Sequence, residues 1–160
     1  MYKRIAMFTI VLGLCHGPWV MAQTAPASAA PAAPAYDAAL AQSLGADERG
    51  MRTYTLVILK TGPNRIPAGP ERTAMFQGHF ANINKLAGEG KLAVAGPFDG
   101  VDGWRGAYVL ATADLEEAKK YIEADPVVIK GEMVAEYHKW YATAGLMAVN
   151  GIHQKIQKPK

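Results

Sequence analysis

Between about residues 52 and 148 the apolar positions change period several times. Tyr54, Leu56 and Ile58 alternate with Thr53, Thr55, Val57 and Leu59. This period of two predicts a strand that becomes apolar on both faces towards its end, as a central strand does. Gly62-Pro63-Asn64 stops it. After a loop holding Pro67 and Gly69-Pro70, the residues Phe76, Phe80, Ile83 and Ala87 recur at helical spacing. Gly88 and Gly90 supply a left-handed stop, so a helix is expected over about 71–88. Leu92–Pro97 and Arg105–Thr112 read as two more strands. Asp99-Gly100 and Asp102-Gly103 between them tolerate positive φ in tight connections, which predicts antiparallel pairing. Asp114 caps a second helix, with Glu117 in the capping-box position and Leu115, Ala118 and Ile122 on one face. Pro126 disfavours the α conformation at Asp125 and ends that helix. Met133–Tyr141 is the last predicted strand.

The order βαββαβ is that of an α+β, ferredoxin-like split-βαβ fold, with a four-stranded antiparallel sheet and two helices on one face. The other face of such a sheet is bare in a monomer. Apolar side chains there predict a homodimer formed through it.

The two ends of the chain have a different composition. Met1-Tyr2-Lys3-Arg4 is a basic start, Ile5 to about Val20 is an apolar run, and Val20-Met21-Ala22 suits signal peptidase. Residues 1–22 are therefore expected to be a secretory signal cleaved near Ala22, giving a periplasmic or secreted protein that starts at Gln23. Pro18 interrupts the run, which is shorter than the about 20 apolar residues of a membrane span, so no stable anchor is expected after cleavage. Cys15, the only cysteine, follows Leu14 rather than the small residue a lipoprotein signal needs. Residues 23–50, rich in Ala and Pro, read as a disordered tether, and 149–160 as a basic flexible tail. Removing Lys3 and Arg4 leaves 15 basic against 14 acidic residues, about +1 in place of the formal +3. With no basic stripe of interleaved aromatics, nucleic acid is not an expected partner.

The candidate chemistry centres on His79 and Asp125. His79 shares the row Met75, His79, Ile83, Leu86, which borders the apolar helix face. Partial desolvation there favours the neutral imidazole that a base must be. Asp125 has a structural reading as well: Asp followed by Pro starts a short helix, here Val127-Val128-Ile129 up to Gly131, with the carboxylate as N-cap. Both roles coexist if one oxygen caps and the other faces a pocket. Glu136, His138 and Trp140 alternate and so share one face of the last strand, where they suit a polar ligand on an aromatic floor. Arg105 suits either an anionic substrate or Asp102 at the turn. No close metal-ligand spacing occurs, and no cofactor is expected. Gly88 to Gly96 follows a helix rather than opening one, so it is not a phosphate loop.

Gly78-His79, Leu86-Ala87-Gly88-Glu89-Gly90-Lys91-Leu92, Ala95-Gly96-Pro97, Trp104-Arg105-Gly106, Glu116-Glu117-Ala118, Asp125-Pro126 and Glu136-Tyr137-His138-Lys139-Trp140 together resemble the YCII-related family, over nearly all of residues 52–146. The resemblance implies a dimeric α+β barrel with a pocket, and a His-Asp active-site pair that falls on His79 and Asp125. Dehydrochlorinase-like chemistry on chlorinated hydroxyhydroquinones occurs among such relatives. The chain departs from them in its export signal and tether, and in Glu136 and His138, where many relatives carry aliphatic residues. Two functions are expected to compete. One is a small-molecule enzyme of lyase or isomerase type, without redox cofactor, acting on a hydroxylated or enolisable substrate. The other is a non-catalytic binding or structural homodimer in which the His-Asp pair is a folding device.

Overall fold

The computed structural model describes residues 35–158. The expected signal and the first part of the expected tether, residues 23–34, therefore lie outside the described residues. A short helix α1 (Ala38–Ser43) leads into β1 (Met51–Thr61), α2 (Pro70–Gly88), β2 (Leu92–Pro97), β3 (Trp104–Leu110), α3 (Leu115–Glu123), α4 (Pro126–Ile129), β4 (Met133–Thr143) and α5 (Val149–Ile156). The strands form one antiparallel sheet in the order β2-β3-β1-β4. β1 is central, as its apolar character on both faces predicts. The α+β, ferredoxin-like architecture is the one expected from the sequence.

Parity along the strands separates two layers. Val57, Leu59, Leu92, Tyr108, Leu110 and Met133 point towards the helices and pack with Met75, Leu86, Ala118, Ile122 and Val127. Each fully buried aliphatic side chain here contributes about 1.5–3 kcal/mol relative to exposure. On the opposite face Tyr54, Ala93, Val109 and Ala142 form a smaller cluster. That face is less bare than expected. A 3₁₀ segment, Ala144–Ala148, folds back and lays Leu146 and Met147 on it, while Val134 and Trp140 of β4 stay exposed.

Several local expectations change in detail. α2 turns Met75, His79 and Leu86 inward, and Phe80 is exposed, so His79 sits within the buried row rather than beside it. Gly90, at φ +70°, provides the left-handed stop, while Gly88 is still helical. Asp114 caps α3 through the Glu116 and Glu117 N–H groups, but the capping box does not close. The Asp114 N–H donates to Thr112 Oγ1, and the Thr112 hydroxyl donates to Glu117 (2.6 Å), because Thr112 stands between the two. The stretch before β1 is ordered over residues that composition assigns to the tether: Asp37 caps α1, and Arg52 donates to Leu44 O and Ala111 O. The expected flexible tail is helical over Val149–Ile156, and Asn150 Nδ2 donates to Leu92 O.

One contact sets the spacing between α2 and α4. A Cβ at Gly78 would lie 2.8 Å from Pro126 Cγ, so only glycine lets the two helices approach this closely. Gly78→Ala gains about 1 kcal/mol of helix propensity. It meets about 1–3 kcal/mol of overpacking against a rigid ring. The expected outcome is a net loss of about 1 kcal/mol, measured as a lower urea midpoint at unchanged m-value.

Candidate functional site

Asp125 lies at the junction of α3 and α4 with no solvent exposure. Its N-capping geometry is extended (φ −77°, ψ 128°), the conformation that the following proline favours. Oδ1 accepts from the Val127 N–H at 3.1 Å and so caps α4. Oδ2 accepts from the Tyr108 hydroxyl at 3.0 Å and from Asn82 Nδ2 at 3.3 Å. The His79 Nδ1–H lies 3.0 and 2.9 Å from the two oxygens. Four donors from α2, β3 and α4 thus surround a group that accepts only, which is what a buried carboxylate requires. Capping and contact with His79 coexist on one carboxylate.

This arrangement fixes the imidazole. With Nδ1–H committed to Asp125, the neutral ring carries its lone pair on Nε2. Among the described residues Nε2 forms no hydrogen bond, and the ring borders a cavity. Phe76 meets the ring edge-on at 5.9 Å and Phe80 lies at 5.4 Å, which with Tyr108 restrict its tilt. Burial holds the Tyr108 phenol well above the ordinary value of 10.0, and the adjacent Asp125 charge and hydrogen bond add to this. Tyr108 therefore stays a hydroxyl donor throughout the physiological range.

The cavity measures about 410 Å³ and lies between α2 and the sheet. Its walls are Leu59, Phe76, Phe80, Ile83, Phe98 and Met133, with Gly96, Pro97 and Gly106 at the strand side and His79, Tyr108 and Arg105 as its polar groups. A largely apolar concavity of this size with a few convergent polar groups is what small-molecule sites share.

Arg105 reaches the cavity because β3 bulges there. Leu59 pairs with Gly106 and Lys60 with Trp104, so Arg105 is an extra residue that breaks the alternation and turns to the helix side. It does not pair with Asp102. Its neighbour is the buried Glu132, with Nη1 at 3.6 Å from Oε1, too long for a hydrogen bond. That Nη1 is buried without a hydrogen-bond partner among the described residues. Glu132 accepts instead from the Ile66 N–H (2.7 Å) and from Arg72 Nη1 (2.8 Å). Burial alone would raise the Glu132 carboxyl, but these bonds and the Arg72 and Arg65 charges outweigh it and hold it below the usual range.

Glu136, His138 and Trp140 are not part of this site. Their partners across β1 are Ile58, Leu56 and Tyr54, which places them on the sheet face opposite the helices, whereas Ala135 and Tyr137 face His79's side. There Glu136 binds Lys60 and lies 2.7 Å from His138 Nε2, and Trp140 packs 6.4 Å from the Tyr54 ring. The shared face read from their alternation is real, but it is the wrong face. Among the described residues no group of three or more His, Cys, Asp or Glu gathers as metal ligands would.

Sequence reasoning missed Tyr108, Asn82, Glu132 and Arg72. Tyr108 had a signal: it shares parity with the apolar Leu110, and a tyrosine buried in a strand needs a partner for its hydroxyl. Asn82 lies three positions after His79, on the same helix side. Glu132 and Arg72 carried no periodic signal.

The Tyr108 network has a pH signature. A phenol whose folded pKa is raised stabilises the fold fully below the unfolded value of 10.0, and that contribution falls away as pH rises above it. Urea melts between pH 9 and 11 are expected to show a steeper loss of stability above pH 10 for the native chain than for Tyr108→Phe. Parallel curves would remove the phenol from that role.

No helix among the described residues is long and apolar enough to cross a membrane. The sequence pattern of the YCII-related domain matches residues 53–141. Uncharacterized protein YjpA of Bacillus subtilis (strain 168) is 36% identical over 63 residues, which cover 39% of this chain and 72% of YjpA. With the domain matched over more than half its length and a relative of this similarity, the chain belongs to the YCII-related family.

Proposed function

We propose that this chain is an exported small-molecule-binding protein in which His79 moves a proton on a hydroxylated or enolisable ligand, in a lyase or isomerase step without a redox cofactor. The observation that carries this reading is the imidazole itself: Nδ1 is locked on a buried carboxylate, and the ring borders an apolar cavity. Nε2 takes a proton from a ligand carbon or hydroxyl, and Asp125 stabilises the imidazolium so formed. The electron pair left on the ligand becomes an enolate. It is then reprotonated at another carbon by the imidazolium, or it collapses to a new carbon–carbon double bond while a leaving group departs with the electrons of its bond to carbon and the imidazolium passes its proton to that group or to water.

A second reading is supported by the cap on α4. Asp125 holds α2, β3 and α4 together whether or not a proton moves, so the pair also suits a folding device in a non-catalytic binder. Asp125→Ala is destabilising under both readings, by about 3 kcal/mol, because it strands several buried donors. The discriminating residue is His79. Enolisable ketones and phenols incubated with the protein in heavy water are expected to gain deuterium at the acidic carbon, detected by NMR. His79→Asn is expected to abolish this exchange while keeping a native circular dichroism spectrum. Exchange at the buffer rate with a bound ligand, or a His79→Asn loss of several kcal/mol in stability, would favour the folding device.

Export rests on the basic start, apolar run and small residues of 1–22. The exposed Val134 and Trp140, on the sheet face that the Ala144–Ala148 segment covers only in part, support a homodimer. Intact mass and light scattering of protein taken from the periplasmic fraction or medium check both: a dimer beginning at Gln23 is expected. A chain beginning at Met1 removes the export reading, and a monomer removes the dimer.

A further inference from the structure

Behind Arg105, which lines the cavity, lies a cluster with more positive than negative groups. Three guanidinium groups surround one carboxylate: Arg72 at 2.8 Å, Arg105 at 3.6 Å and Arg65 at 3.8 Å from Glu132 Oε1. Arg65 is mostly in water, where its charge is screened. Arg72 is used by Glu132 and by Ile66 O. Arg105 is different. Its side chain is only 19% exposed, it borders the cavity that His79 borders, and its buried Nη1 has no acceptor among the described residues. The bulge that aims it there gives up regular pairing with β1 to do so.

We infer that Arg105 receives a carboxylate of the ligand, and that the substrate class is an unsaturated or aromatic monocarboxylic acid. This rests on the reading of the cavity as a ligand site and adds the ligand's charge and shape. A carboxylate matches the planar fork of a guanidinium in geometry and charge. A dianion such as a phosphate monoester needs a second free cation, and Arg72 is already engaged. Phe76, Phe80 and Phe98 line the space around the cavity and suit a flat body with its carboxylate at Arg105. The same carboxylate, conjugated with the reacting carbon, would delocalise the electron pair left when His79 removes a proton.

Calorimetric titration of the purified chain with phenylacetate and cinnamate, each against its neutral primary amide, tests this. The carboxylates are expected to bind at least about tenfold more tightly than the amides, as a charge-assisted hydrogen bond in a desolvated site supplies. Arg105→Gln is expected to weaken the carboxylates by about ten- to a hundredfold and leave the amides unchanged. If Arg105→Gln does not fold, Arg105→Lys decides: loss of the fork should lower the carboxylate-to-amide ratio several-fold. His79→Asn should keep the preference, which separates this inference from proton transfer: exchange can fail while the anion site stands, and the reverse. Equal binding of acids and amides, an unchanged ratio in the Arg105 variants, tighter binding of phenyl phosphate, or no carboxylate binding at millimolar concentration would overturn it.

Discussion

A charge held entirely out of water constrains everything near it. The Asp125 carboxylate is stable in the interior only because donors from α2, β3 and α4 converge on it, and each of those elements is thereby fixed relative to the others. The helices have to come close enough for His79 to reach it. Gly78 facing Pro126 is where that closeness becomes a steric requirement. The reactive pair and the α2–α4 packing are therefore one problem solved together. A residue that perturbs either is felt in the other.

The same carboxylate explains how an imidazole can be oriented without being occupied. One nitrogen is spent inside the protein, and the ring as a whole borders the cavity. Tyr108 reinforces the acceptor with a phenol that burial keeps protonated. At the other polar end, Arg105 is arranged in the opposite manner: Glu132 lies near it, yet the carboxylate's bonds go to Ile66 and Arg72. An imidazole that is held by hydrogen bonds and a guanidinium whose Nη1 has a carboxylate near it but no hydrogen-bond acceptor among the described residues stand on the same cavity.

Most of the architecture was legible in the pattern of apolar positions, because strand and helix periods are set by which side chains leave water. The boundaries of α2 and β2, the Asp125 cap and the strand pairing all follow from residues whose local chemistry admits few alternatives. The site was legible in part. His79 and Asp125 stand out through their local setting, and a helix row plus an Asp-Pro step is enough to place them. Glu136, His138 and Trp140 show where this reasoning stops: alternation groups them correctly, but nothing local says which of two sheet faces the group occupies. Arg105 shows a second limit. A bulge is a property of two strands in register, so neither strand's own sequence reveals that the alternation fails at that residue. The tail failed for a third reason: the helix Val149–Ile156 is short and exposed, its apolar Val149, Ile152 and Ile156 bury little, and Gly151 within it together with the lysines around it gives it the composition of coil.

The extra residue in β3 also acts as a phase shift. Side chains that follow it, including Tyr108, keep the parity set by the core, while the residue at the shift answers to the cavity. Two neighbouring stretches of one strand are thereby uncoupled. Substitution at the shifted position can alter the cavity wall while the hydrogen-bonded partners of His79 stay in place, so under the proposed reading recognition and proton transfer can diverge independently.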